Sequence, residues 1–350
     1  MIGFGKQCLR LALPAASGPA TDRAFGTRCA APVGGRPGSL SGWLAYPRGR
    51  LAPFIALALL IPAAQAGTLY VGDDSLNEIV SFDASGNRSV FASGLHIPTG
   101  LAFDSAGNLY EVDSAYPSFG QGAVNRFTPN GIETVFATGL FDPQGIAINA
   151  LGDIFVSDDG STVPGAGGAV YEYTPDGKRT TFATGFAATG LAFDASGDLF
   201  IGDLGYEQDG LAGRIWEYAP DGSRSLFAHG LGYPLFLAFN SSGMLFVGQG
   251  DILEFTPSGA EIGTLPGGDF LSFDENGYLY ASDHVNSRIY RIAPDDSLTT
   301  FASEAFPSGL AFAQGPGFSP TPEPATGTLI GLAAGWFLVR RRYVPSARSR

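Results

Sequence analysis

Residues 97–113 read IPTGLAFDSAGNLYEVD, and this stretch decides the fold. An apolar segment, LAF, is followed by a turn that contains glycine and then by a second segment, LYEVD, which carries an aromatic residue. Short apolar and aromatic runs bounded by glycine and aspartate are typical of β-strands joined by tight turns. The stretch therefore predicts two neighbouring strands of one antiparallel sheet.

The second of these segments recurs along the chain with a period of 34 to 46 residues. Its aromatic anchors are Tyr70, Tyr110, Phe155, Phe200, Phe246 and Tyr280. Between two anchors there is room for two further strands, such as VYEYTPDG (170–177) and RTTFATG (179–185). Repeats of this length with four short strands each are typical of propeller blades, because each sheet buries its faces only against its neighbours.

The two ends of the repeat region complement each other. GTLYVGDD (67–74) lacks a first strand before it, and LAFAQ (310–314) matches a first strand with no partner after it. We therefore predict an all-β, six-bladed propeller of four-stranded antiparallel blades over residues 67–315, in which the C-terminal strand closes the first blade.

This repeat resembles the NHL and gluconolactonase-like (senescence marker protein) propellers, most fully in residues 97–113 and in DPQGIAINALGDIFVSD (142–158). The resemblance implies the fold over about 250 residues. It also implies a metal held by a Glu of an E-G-P motif and an Asn of a P-N-G motif. E-G-P is absent here, and the P-N-G positions read Pro98-Thr99-Gly100 and Pro143-Gln144-Gly145.

The connections between the second and third strands predict a binding face. They are long at 114–123, 159–169 and 204–214, whereas almost nothing separates Gln249 from Ile252. Long loops on one face of a rigid scaffold are the usual position of binding sites.

Six equivalent polar residues stand where these connections begin: Asp73, Asp113, Asp158, Asp203, Gln249 and Asp283. They are candidate oxygen ligands for Ca²⁺, which takes six to eight such donors. The alternative is that each side chain accepts backbone N–H groups and caps its own turn, which explains why it recurs once per blade.

The three histidines of the chain, His96, His229 and His284, are all expected on this same face. A histidine there could act as a base or hold a metal, although three scattered residues also arise by chance. We retain His96 and His284 as ligand-face candidates; no residue is assigned a catalytic role.

Charge and cysteine content limit the function classes. Residues 67–324 contain 8 basic and 32 acidic residues, a net charge of −24, which disfavours nucleic acid and attracts cations. Both cysteines, Cys8 and Cys29, precede this region, so neither disulfides nor thiolate metal sites stabilise it.

The N-terminal region reads as an export signal. Residues 48–66, RGRLAPFIALALLIPAAQA, combine a basic start, an apolar core and an Ala64-Gln65-Ala66 cleavage motif, with Ala64 and Ala66 at the small positions. Residues 1–47 are a leader of doubtful authenticity, because signal peptides usually begin close to the initiator.

The C-terminal region has features of a sorting signal. A linker at 316–324 ends in Pro322-Glu323-Pro324, and an apolar run from Ala325 to Val339 precedes Arg340, Arg341 and Arg342. This order resembles the PEP-CTERM sorting signal of Gram-negative bacteria that make extracellular polysaccharide. The resemblance implies a single apolar helix in segment 325–350, a transient inner-membrane anchor through 325–339, and processing by an exosortase-type enzyme.

Two functions remain open. The first is an exported, surface-associated propeller that binds a glycan, peptide or protein through its long-loop face. The second is a Ca²⁺-dependent lactonase or other hydrolase acting at the same face. A purely structural spacer in an extracellular matrix is a third interpretation.

The sorting interpretation predicts that the mature protein from a native host lacks residues 340–350, because the signal is cut before the arginine cluster. Mass spectrometry of the C-terminal peptide of the secreted form tests this. An intact arginine tail on that form would contradict the interpretation.

Overall fold

The computed structural model describes residues 67–114, 117–160, 168–205 and 213–313, which form 24 β-strands. The inner strands are β4 (Pro98–Phe103), β8 (Pro143–Ile148), β12 (Ala188–Phe193), β16 (Phe236–Phe239), β20 (Phe270–Phe273) and β24 (Pro307–Phe312). The second strands are β1 (Leu69–Asp73), β5 (Leu109–Asp113), β9 (Ile154–Asp158), β13 (Leu199–Asp203), β17 (Leu245–Gln249) and β21 (Leu279–Asp283).

The outer half of each sheet has two more strands. The third strands are β2 (Glu78–Phe82), β6 (Gly122–Phe127), β10 (Gly168–Tyr173), β14 (Arg214–Tyr218), β18 (Asp251–Phe255) and β22 (Arg288–Ile292). The outermost strands are β3 (Arg88–Ser93), β7 (Glu133–Leu140), β11 (Arg179–Phe186), β15 (Arg224–His229), β19 (Glu261–Leu265) and β23 (Leu298–Ser303).

These strands form six four-stranded sheets. Within each sheet every neighbouring pair is antiparallel. The order is β24-β1-β2-β3 in blade one, and blades two to six take the following strands four at a time from β4. The predicted all-β, six-bladed propeller with four-stranded antiparallel blades is confirmed.

The aromatic anchors pack between blades. Five of them make edge-on contacts, with ring centroids 4.7–5.2 Å apart, with a phenylalanine on the inner strand of the next blade. These pairs are Tyr70–Phe103, Phe155–Phe193, Phe200–Phe239, Phe246–Phe273 and Tyr280–Phe312. Because edge-on aromatic pairs add packing energy to buried area, the repeated anchor holds consecutive sheets in register.

The glycine of the P-x-G motif permits the inner strands to touch. A Cβ on Gly100 would lie 2.9 Å from the Gln144 carbonyl oxygen, and one on Gly190 would lie 2.6 Å from that of Leu235. Both carbonyls belong to the next blade, so any larger side chain at these positions would push two blades apart. Blades five and six have Phe236 and Phe270 at this position, and their rings stack with centroids 3.9 Å apart.

Buried hydroxyl groups of the inner and second strands link successive blades. The Thr189 hydroxyl donates to the Pro234 carbonyl at 2.6 Å, and the Ser282 hydroxyl donates to the Ser308 carbonyl at 3.2 Å. Ser308 in turn donates to the Pro98 carbonyl of blade two. These bonds satisfy carbonyls that the short inner strands leave without a ladder partner.

Blade one combines the two ends of the described region. β24 pairs with β1 in the register Leu69↔Phe312, and the Gly67 N–H donates to the Ala313 carbonyl at 3.1 Å. Residues 67 and 313 therefore lie together at one end of this sheet. Asp73 and Pro307 are paired at its other end, which is the face that carries the long loops.

Several sequence predictions lie outside the described residues: the leader 1–47, the signal peptide 48–66, the linker 316–324 and the C-terminal segment 325–350. Within the residues that the structure describes, no helix has the length and apolar character needed to cross a membrane.

One buried acid occupies a second-strand position that is apolar in the other five blades. Glu111 occupies the position of Val71, Val156, Ile201, Val247 and Ala281 in the other blades, and it is fully buried. Its Oε2 accepts a hydrogen bond from Asn125 Nδ2 at 3.0 Å, and its Oε1 has no partner. Burial raises the pKa of Glu111 to about 8.

Glu111 is therefore predicted to make stability depend on pH. The folded protein keeps this proton up to about pH 8, whereas the ordinary carboxyl pKa is 4.5, so the unfolded chain binds fewer protons between these values. Stability should fall as the pH rises from about 4.5 to about 8. Glu111→Gln keeps the bond to Asn125 and should raise the Tm at pH 7 by several degrees.

Thermal unfolding of the wild type and Glu111→Gln across this pH range tests the prediction. Glu275→Gln, at an exposed turn position, is the control. A pH dependence that is equal in wild type and Glu111→Gln would show that the buried carboxyl does not cause it.

Candidate functional site

The six equivalent polar residues each end a second strand, and together they mark the long-loop face of the propeller. Their residues are Asp73, Asp113, Asp158, Asp203, Gln249 and Asp283. The loops predicted to form the wall of the site, 114–123, 159–169 and 204–214, fall partly outside the described residues.

In blades two to five the side chain reaches across to the loop that enters the inner strand of the same blade. The bonds, from backbone N–H to side-chain oxygen, are His96 to Asp113 (3.1 Å), Phe141 and Asp142 to Asp158 (2.9 and 2.7 Å), Ala187 to Asp203 (3.1 Å) and Gly232 to Gln249 (3.1 Å). Asp203 also accepts from Arg214 Nε at 2.9 Å and Trp216 Nε1 at 3.0 Å.

In blades one and six the side chain turns toward its own hairpin instead. Asp73 Oδ1 accepts from the Ser75 N–H at 2.8 Å and the Leu76 N–H at 3.0 Å. Asp283 accepts from the Asn286 N–H at 2.9 Å and from its side-chain amide at 2.7 Å.

These bonds match the alternative in which each side chain accepts backbone N–H groups and caps a turn. Each side chain serves its own blade, so the carboxylates do not converge on one point as ligands of Ca²⁺ must. Within the described residues, no group of three or more His, Cys, Asp and Glu side chains could hold a metal ion. The residues that are described therefore do not fit the metal that the family resemblance implies.

The P-x-G positions of blades two and three have structural partners as well. The Thr99 hydroxyl donates to the Val112 carbonyl at 3.1 Å, and the Gln144 amide donates to Asp142 Oδ1 at 2.9 Å. Where the resemblance places a metal-binding Asn, these side chains orient the loop and strand around them.

The histidines do not gather at one point. His96 precedes β4 and His229 ends β15, whereas His284 follows β21 in blade six. His284 is the one with a side-chain partner that defines its orientation: its Nδ1 lies 2.8 Å from Asp269 Oδ2. The Asp269 side chain is 11% exposed and the imidazole is 49% exposed.

This pair has chemical consequences. A carboxylate accepts a hydrogen from Nδ1, so the lone pair of the neutral ring is on Nε2. The exposed half of His284 can therefore accept a hydrogen bond from a ligand, or donate one when the ring is protonated.

Asp74 lies beside this pair, across the junction of blades one and six. It occupies in blade one the position that His284 occupies in blade six, one residue after the turn-capping aspartate. Burial raises the pKa of Asp74 to about 6; the nearby Asp73 adds to the rise, and Ser308 and His284 oppose it. Asp74 Oδ1 is buried with no partner.

Sequence reasoning missed Asp74 and Asp269. The sequence does show that the residue after the capping position varies between blades, which could have marked this position as functional. The residues there are Asp74, Ser114, Asp159, Leu204, Gly250 and His284. Asp269 likewise stands where other blades have Thr99, Gln144, Thr189, Leu235 and Ser308.

The loops of blades one and six next to this polar group also carry exposed apolar side chains. Leu76, Val285 and Phe306 are 56%, 78% and 52% exposed and lie in the loops of blades one and six on this face. Phe306 has φ 45°, a left-handed conformation that a bulky residue adopts only under strain. Its carbonyl accepts the Asp74 N–H at 3.3 Å, which couples the apolar and polar parts.

We name this region the junction site: Asp74, Asp269, His284 and Ser308, with Leu76, Val285 and Phe306. It combines a few convergent polar groups with exposed apolar surface, which is the usual composition of a binding site.

No family model and no curated protein matches the chain. Solved structures match its fold. A gluconolactonase from Xanthomonas campestris is 17% identical, with a TM-score of 0.50 over 66% of this chain and 84% of the other. A protein of unknown function from Bacteroides caccae is 16% identical, with a TM-score of 0.51 over 70% and 98%.

A virginiamycin B lyase from Staphylococcus aureus is also similar, at 16% identity and a TM-score of 0.44 over 59% of this chain and 69% of the other. At identities of 16–17%, the two structures with TM-scores of 0.50 and 0.51 show a shared propeller fold, which hosts many functions.

The capping interpretation predicts that Asp158→Ala destabilises the protein by about 1–3 kcal/mol, because two buried N–H groups lose their acceptor. The loss should be the same with Ca²⁺ as with a chelator. Urea unfolding under both conditions measures it, with Glu275→Ala as the exposed control. A wild-type gain in stability from Ca²⁺ that Asp158→Ala abolishes would instead establish a metal ligand.

Proposed function

We propose that the protein is exported and attached to the cell envelope of a Gram-negative bacterium, where it binds an extracellular glycan, peptide or protein through its long-loop face. The observation that carries this proposal is the position of the chain ends. Residues 67 and 313 lie together at the end of blade one that is opposite to the junction site. An anchor that follows residue 313 would leave the binding face free.

The flanking sequences support this arrangement. A signal peptide at 48–66 would direct export, and the linker 316–324 would join the propeller to an apolar helix at 325–339. The pairing of β24 with β1 supports a ring closed by the C-terminal strand. Force applied through the anchor would therefore act on the innermost strand of blade one, which is hydrogen-bonded to β1.

The partners follow from the same features. An exosortase-type enzyme would process the chain at the Pro322-Glu323-Pro324 signal, and the membrane would hold residues 325–339 until then. The acidic body, with 32 acidic and 8 basic residues in 67–324, favours a partner other than nucleic acid.

The lactonase-like alternative has no comparable support. Its metal would need ligands that converge, and the candidate aspartates of the long-loop face serve separate blades. We therefore propose binding as the function.

Cysteine labelling in the native host tests export and orientation together. The propeller contains no cysteine, and Cys8 and Cys29, which precede it, are replaced by serine. Val285→Cys on the long-loop face and Leu151→Cys on the opposite face then each give one reactive site. Their wild-type side chains are similarly exposed, at 78% and 83%. A small maleimide that does not cross the inner membrane is the probe.

On intact cells we expect both variants to be labelled, with Val285→Cys several-fold faster while the chain is anchored. In detergent the two rates should become equal, which controls for local reactivity. Protection of both sites in intact cells would contradict export, and faster labelling of Leu151→Cys would contradict the orientation.

A further inference from the structure

We propose that the junction site binds a polypeptide segment in which lysine or arginine alternates with apolar residues. This inference rests on the proposed function and specifies the partner of the same face. It is carried by the exposed apolar surface and by the charge that surrounds it.

The apolar surface is concentrated at this junction. Among the described residues, five large apolar side chains are exposed in the loops of the long-loop face: Leu76, Phe119, Tyr233, Val285 and Phe306. Three of the five, Leu76, Val285 and Phe306, belong to the junction of blades one and six. An exposed apolar group of this kind is typical of a contact surface for another protein.

Phe306 is held at the surface by the backbone. The equivalent residues in the next three blades are Ile97, Asp142 and Ala187, and the three carbonyls that correspond to that of Phe306 accept the same type of N–H bond. Blade one is therefore the one of these four with an aromatic residue at this position. The equivalent Ile97 of blade two also has a positive φ, 55° against 45° for Phe306, so the left-handed backbone belongs to this turn. Blade one differs in the aromatic side chain that the turn presents, which is 52% exposed.

The charge around the patch is acidic. The loops and adjoining strand ends of this junction contain Asp73, Asp74, Glu78, Asp269, Asp283 and Glu304, against Arg288 and the side chain of Arg88, which reaches Glu304 from β3. Arg88 is already engaged, since its Nε donates to Glu304 at 2.7 Å and its second nitrogen lies 3.6 Å from Glu78. These six acidic and two basic side chains together carry a net charge of −4, which complements a basic partner.

The polar centre fits an ammonium or guanidinium group. Asp74 is desolvated and has no cationic partner within the described residues apart from the ring of His284. A lysine or arginine head group would supply the missing charge and release the proton that Asp74 holds below about pH 6. Binding should therefore strengthen as the pH rises through about 6, because Asp74 loses its proton there.

Calorimetric titration of the purified full chain with a blocked pentapeptide tests the proposal. The residues of the probe are, in order, leucine, lysine, phenylalanine, lysine and leucine. One control peptide has glutamate in place of lysine, and a second has serine in place of the apolar residues. We expect saturable binding of the probe, about tenfold weaker binding of each control, and weaker binding at high salt.

Three variants place the contact at the junction. Phe306→Gly, Val285→Ser and Asp74→Asn should each weaken probe binding about fivefold or more, whereas Leu151→Ser on the opposite face should leave it unchanged. Phe306→Gly removes a strained conformation, so its Tm should be no lower than that of the wild type. Loss of binding in this variant therefore cannot be attributed to unfolding.

Three outcomes would overturn the proposal. The first is that the probe shows no saturable binding at concentrations up to about 1 mM. The others are that the glutamate peptide binds more strongly than the probe, or that Leu151→Ser and Phe306→Gly bind the probe equally well. Self-association of the chain that Val285→Ser abolishes would assign the patch to a second copy instead. The labelling experiment uses no peptide, so failure of this proposal is distinguishable from failure of the proposed function.

Discussion

Close contact between the inner strands of successive blades is the constraint on which the rest of the structure depends. Gly100 and Gly190 leave room for a carbonyl oxygen of the next blade, and buried hydroxyls such as Thr189 and Ser282 bond to such carbonyls. Because the strands touch through their backbones, the side chains of the second strand and its anchor fill the wider space outside them. Where the structure describes them, the loops of the long-loop face begin at strand ends whose positions follow from this spacing.

The same spacing determines what the polar residues can do. In blades two to four the aspartate that ends the second strand bonds to an N–H group of the loop that enters the inner strand. In blades one and six the aspartate bonds to N–H groups of its own hairpin instead. Only the residue that follows these aspartates is free to vary in chemistry. At the junction of blades one and six this position supplies Asp74 and His284, and we propose that the binding site lies there.

The sequence predicts the repeat, the blade number and the strand order, because aromatic anchors and glycine turns recur at a nearly constant spacing. It also places the aspartates and histidines on one face. It does not predict that Asp158 caps a loop while Asp283 caps a hairpin, since that choice depends on how the following loop packs. The pairing of Asp269 with His284 joins two positions 15 residues apart, and neither matches a known motif. For Glu111 the sequence shows an acid at a position that is apolar in the other blades, but only the structure shows that the side chain is buried.

A crystal structure of the full chain grown with Ca²⁺ tests the central claim, that the long-loop face uses its aspartates for capping and its junction of blades one and six for binding. We predict Asp269 hydrogen-bonded to His284, Phe306 exposed with a positive φ, and the aspartates that end the second strands bonded to backbone N–H groups. A Ca²⁺ ion coordinated by two or more of these aspartates, seen by its anomalous scattering, would contradict the account.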